Sequence, residues 1–228
     1  MISRGIAIGV ALLALAPAPA SAQDTRLSAR LDARTASAVM RVVDSARAQA
    51  LPTEPLVQKA LQGAAKRAPS ERVLAAVREL LAELGTARTS LGARSTEAEL
   101  VAGAGALHAG VPAATLTRVR ALRGGQSVTV ALGTLADLVA RGVPVNGAVS
   151  AVLSLVERRA TDADFLEFGN QVGRDIAAGA PPAVAARVRS GGPGSSGARP
   201  ATVPGRPDNA APRGRGRRPT GQVNPGRS

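Results

Sequence analysis

The chain has 228 residues and a formal net charge of +13, from 29 Lys and Arg against 16 Asp and Glu. It has no Cys, Trp or Tyr, two Phe and one His. Disulfides, thiol chemistry and cysteine-based metal sites are therefore excluded, and the core must be built from Leu, Val, Ile and Ala. Only Lys59 and Lys66 are lysines. An excess of Arg, Ala, Gly and Pro with scarce Lys is what a GC-rich genome writes, so part of the arginine excess carries no function.

The N-terminus reads MISRGIAIGVALLALAPAPASAQD. Arg4 supplies a positive n-region, an apolar run follows over 6–16, and Ala20-Ser21-Ala22 is a small-x-small cleavage pattern. These features predict a signal peptide over residues 1–22, cleaved after Ala22. The run is too short to span a bilayer comfortably. No Cys follows it, so a lipoprotein anchor is excluded. Loss of Arg4 leaves the mature chain one charge lower, at +12. The expectation is an exported protein, periplasmic or secreted.

A helical domain over 23–189 is expected next. Val73, Leu74, Val77, Leu80, Leu81 and Leu84 step by three and four along one face, as do Val149, Val152, Leu153 and Val156. Thr96 with Glu99 and Thr161 with Asp164 have capping-box spacing. Gly85, Gly110, Gly142 and Gly179 can end helices in a left-handed conformation. The predicted helices are 32–50, 54–67, 70–84, 96–109, 112–123, 128–141, 145–159, 162–178 and 181–189. SVTVAL at 127–132 is the one strand candidate, and its context favours a helix start with Ser127 near the cap.

One phrase recurs at the boundaries: a small residue, an apolar residue, Pro, then an apolar helix. It occurs at Pro52, Pro69, Pro112, Pro144 and Pro181. Proline is tolerated in a first turn because its missing N–H would be unpaired there. The apolar residue before each Pro (Leu51, Ala68, Val111, Val143, Ala180) can fold onto one four positions after it (Leu56, Val73, Leu116, Ala148, Ala185), like a hydrophobic staple. The phrase reads as a joint between helices. The longer spacings suit helical-hairpin repeats. The expected fold is all-α, with antiparallel helical hairpins packed as a short solenoid-like array or an irregular multi-helix bundle.

The segments LVAGAGALHAGVP and LADLVARGVPV resemble a set of exported, alanine-rich helical bacterial proteins. The resemblance implies no activity and no site residues.

Chemistry-bearing residues are sparse. His108, the single imidazole, reads as a residue of a last helical turn before Gly110, a position the helix dipole favours. One imidazole without cysteine cannot build a histidine-based zinc site, so no metal ligand is predicted. The pairs Glu97/Glu99 and Asp162/Asp164 could in principle serve a glycoside hydrolase. Both sit at predicted helix N-termini, where acids are stabilised, and no Trp or Tyr offers a sugar platform. No Gly-x-Ser-x-Gly elbow occurs, and the glycines of GAGALHAG follow no strand. No catalytic residue and no cofactor are predicted.

Residues 190–228 form a Gly/Pro/Arg-rich tail with Val203 and Val223 as its sizeable apolar residues. Such a composition cannot bury enough surface to offset its ordering entropy, which predicts disorder. Seven arginines (Arg199, Arg206, Arg213, Arg215, Arg217, Arg218 and Arg227) against Asp208 give it a net charge of +6. These are the candidate polyanion-binding residues. The function expected is a non-enzymatic envelope interaction protein. Its partner would be another protein or an anionic envelope component such as lipid head groups or acidic glycans, with the tail as tether. The alternatives are an envelope or cell-wall hydrolase using a carboxylate pair, and an exported polyanion- or nucleic-acid-binding protein acting through the tail. Export and the lack of interleaved aromatics disfavour nucleic acid.

Overall fold

The computed structural model describes residues 25–191. Residues 1–24, with the expected signal peptide, and the tail beyond Gly191, with its seven arginines, lie outside the described residues. After a single helical turn at 25–28, nine helices follow, and the described residues contain no strand. They are α1 (Ala33–Ala48), α2 (Glu54–Ala65), α3 (Ser70–Leu91), α4 (Glu97–His108) and α5 (Ala113–Arg123), then α6 (Thr129–Ala140), α7 (Val145–Glu157), α8 (Asp162–Ala177) and α9 (Pro182–Arg189). The chain is all-α, as its periodicity predicts. No helix among the described residues is long and apolar enough to cross a membrane.

One helix differs from its predicted span by more than two residues. Helix α3 continues past Gly85 to Leu91. Leu84, Ala87 and Leu91 prolong its buried stripe. Gly85 points into open space, where a glycine costs the helix only about 1 kcal/mol in propensity. The stop is at Gly92 instead, with φ +93°. At the sixth helix Val128 is the N-cap, fully buried, and the Ser127 hydroxyl accepts from the Thr129 N–H at 3.2 Å.

The recurrent joint has a specific geometry. Of nine described residues with positive φ at helix ends, six share one joint: Ala50, Arg67, Gly110, Gly142, Arg159 and Gly179. At each, two backbone bonds close the preceding turn. At Gly142 the N–H donates to Val139 O at 2.9 Å, and the next N–H, of Val143, donates to Leu138 O at 3.0 Å. The same pair recurs at Gly110 and Val111, and at Arg159 and Ala160. This is the Schellman pattern, which satisfies carbonyls that would otherwise be orphaned.

The residue after the left-handed position is apolar and turns inward. Leu51, Val111 and Val143 are buried, and Ala68, Ala160 and Ala180 are partly buried against the core. The proline then serves as N-cap rather than as first helical residue. Pro69, Pro112, Pro144 and Pro181 have φ near −60° and ψ of 131–143°. An extended N-cap suits the φ the ring fixes. With Pro112 as cap, Val111 and Leu116 occupy the two staple positions, and both are buried. Pro52 is the exception: Thr53 caps α2, one residue later.

The helices pack chiefly on their first and second neighbours. Helices α3, α5, α7 and α9 stack in one row, with α1 against α3; α4, α6 and α8 stack in a second row. Helix α2 packs on α1 and α3. Contacts that advance by one or two elements along the chain are those of a stacked array of helical hairpins. The core runs continuously between the rows, from Leu27 to Ala186, with Phe165 its largest fully buried side chain. Small residues permit close approach within it. A Cβ on Gly103 of α4 would lie 3.0 Å from the Ala87 Cβ of α3 and 3.1 Å from Leu91 Cδ1.

Candidate functional site

The two carboxylate pairs are the first places to look for chemistry, and in each pair one acid closes a capping box. Thr96 caps α4. Its hydroxyl accepts from the Glu99 N–H at 3.2 Å, and Glu99 Oε2 accepts from the Thr96 N–H at 3.0 Å. The other carboxylate oxygen, Oε1, accepts from the Val128 N–H at 3.1 Å and pairs with Arg120 Nη2 at 2.8 Å. Glu99 is 4% exposed, so it stitches α4, α5 and the start of α6 together from the inside. Burial pushes its carboxyl up, but the Arg120 guanidinium and the Thr96 and Val128 N–H groups outweigh that and hold it below the usual carboxylate range. A general acid needs the opposite shift. Glu97 is exposed beside the same helix start.

Asp162 and Asp164 divide differently, into an ion-paired acid and an exposed capping-box acid. Asp164 Oδ2 accepts from the Thr161 N–H at 2.7 Å, which with its reciprocal bond caps α8 and lowers its pKa. Asp162 pairs with Arg123 Nη2 at 2.7 Å. Arg123 is a second internal stitch, its side chain 6% exposed. It donates to Ser127 O at 2.7 Å and to Ala160 O at 3.1 Å, and lies 5.3 Å above the Phe165 ring. Other arginines close joints in the same manner. Arg88 Nη2 donates to Ala50 O at 2.9 Å, and Arg158 Nη1 donates to Ser190 O at 2.9 Å. Arg189 forks onto Asp175 through bonds of 2.6 and 2.8 Å, lowering the Asp175 pKa and tying α9 to α8.

A different cluster lies on the surface between α3 and α4. Glu79 and Glu83, one turn apart on α3, meet His108 at the end of α4, and their ligand atoms all lie within 4.8 Å of one another. His108 Nδ1 is 2.9 Å from Glu83 Oε1. His108 stands in the last turn, as its sequence context predicts. Its two carboxylate neighbours are 25 and 29 positions away, and the sequence reading missed them. The available signal was the antiparallel hairpin register, which ending α3 at residue 84 concealed.

Two open grooves occupy the N-terminal end. The larger, about 1000 Å³, lies between the first helical turn and α2, with Arg26 and Arg30 above Leu61, Ala64 and Ala65. Arg26 is held by Glu54 at 2.9 Å. The groove borders Thr25, where the described residues begin.

No protein-family model, curated protein or solved structure matches this chain.

Proposed function

We propose that the chain is an exported, non-enzymatic envelope protein whose helical array offers an interaction surface and whose arginine-rich 190–228 segment holds it to anionic material. Arg4, the apolar run after it and the Ala20-Ser21-Ala22 pattern support export. The observation that carries the tether is charge balance: residues 23–189 and 190–228 each carry a net +6, but the first sets 21 basic residues against 15 acidic ones. Arg88, Arg120, Arg123 and Arg158 in the array are engaged with carbonyls or carboxylates of its own joints. Residues 190–228 set seven arginines against Asp208 alone. Such a segment is attracted to phosphate- or carboxylate-bearing surfaces through charge, with no need of a shaped pocket.

The hydrolase alternative is weakened by the commitment of Glu99 and Asp164 to caps. Co-sedimentation with vesicles tests the tether. The full mature chain should sediment with phosphatidylglycerol vesicles and stay in solution with phosphatidylcholine ones. Changing Arg213, Arg215, Arg217 and Arg218 to Gln should release it. Undiminished binding by that variant would overturn the tether.

A further inference from the structure

We propose that Glu79, Glu83 and His108 form a divalent-cation site of the zinc class that pins α3 to α4. Three observations converge. The donors are two carboxylates and one imidazole, both ligand types that zinc takes, and a three-ligand site leaves a fourth position to water. They come from two helices that pack directly on each other, so a bound ion would bridge the elements and would not merely decorate one. Finally, two carboxylates stand one turn apart and share a single imidazole as their cationic neighbour. Seven other carboxylates of the described array pair with arginine: Asp44 with Arg47, Glu54 with Arg26, Glu99 with Arg120, Asp137 with Arg141, Glu157 with Arg118, Asp162 with Arg123 and Asp175 with Arg189. Among the described residues no arginine or lysine forms an ion pair with Glu79 or Glu83, although like charges at i and i+4 repel.

A plain Glu83–His108 ion pair explains the 2.9 Å contact but not the third donor. Ligands around a tetrahedral zinc with bonds near 2.0–2.1 Å lie about 3.4 Å apart. The present spread is within side-chain rotation of that value, because Glu79 is exposed and the His108 side chain is 53% exposed. Glu83, at 14%, is the fixed member on which the other two close. Binding exchanges the imidazole–carboxylate hydrogen bond for two bonds to the ion, with Nδ1 deprotonated.

Zinc chloride titrated calorimetrically into the full mature chain should give saturable binding of one ion per chain. His108→Ala and Glu79→Gln should each weaken it by about tenfold or more. Zinc should raise the melting temperature of the wild-type chain and leave that of His108→Ala unchanged. Because the chain has one histidine, its imidazole resonances report the site without assignment. They should shift in step with zinc. Absence of saturable binding, equal affinity in Glu79→Gln, or imidazole resonances unmoved at saturation would overturn the site.

Discussion

Removal of the Glu99 carboxylate should destabilise the array substantially without touching any chemistry. In Glu99→Ala the Val128 N–H loses its acceptor at a fully buried residue, an orphaning worth about 1–3 kcal/mol. The Thr96 N–H loses its half of the capping box, worth about 1 kcal/mol, though solvent can reach exposed Thr96. Arg120 loses its carboxylate. Its side chain is 22% exposed, so water recovers part of that loss and the full cost of about 3–5 kcal/mol for a broken buried pair does not apply. The combined loss is about 3 kcal/mol, and for a domain of this size each kcal/mol lowers the melting temperature by about 2–4 °C. Thermal melts followed by far-ultraviolet circular dichroism should therefore show a drop of about 6–12 °C. Arg120→Met should cost much less in the Glu99→Ala background than in wild type, with a coupling of about 1 kcal/mol or more. A Glu99→Ala chain melting within about 2 °C of wild type would refute the reasoning, as would additive effects of the two changes.

The remaining predictions follow from the joints and caps. Ala50 has φ +52°, a conformation that costs a non-glycine residue about 1–2 kcal/mol. Ala50→Gly should gain about 0.5 kcal/mol after the added unfolded-state entropy, and Gly142→Ala should lose about 1 kcal/mol, both read from urea midpoints. Asp32 caps α1 and receives the Ser70 hydroxyl, and the Thr35 bonds hold its pKa down to about 2 from an ordinary 3.8. A depressed carboxyl stabilises above its unfolded pKa, and that stability is lost as pH falls through the folded value. The urea midpoint of wild type should therefore fall towards that of Asp32→Asn between about pH 4 and pH 2. A constant gap between the two across that range would contradict the cap assignment.

Local features were legible in the sequence because they depend on neighbours within one turn. The Thr96–Glu99 and Thr161–Asp164 boxes, the nine helices and the inward apolar residue before each proline all belong to this class. Left-handed Arg67 and Arg159 were not legible, since a residue with a Cβ gives no signal that it will adopt positive φ. Gly85 misled for the converse reason: a glycine facing solvent in mid-helix looks like a stop. The reach of Arg120 to Glu99 and of Arg123 to Asp162 spans 21 and 39 positions and depends on how helices stack. The same holds for Glu83 and His108. Their meeting requires the hairpin register that Gly103 sets against Ala87 and Leu91.

Salt dependence of binding tests the cationic tether most directly. Affinity of a chain spanning residues 23–228 for heparin should fall linearly with the logarithm of salt concentration, because each neutralised anion releases a counterion. Changing Arg213, Arg215, Arg217 and Arg218 to Gln removes four of the seven tail arginines and should flatten the slope by about 3. Identical slopes for the two chains would contradict the account and move the cationic surface into the helical array.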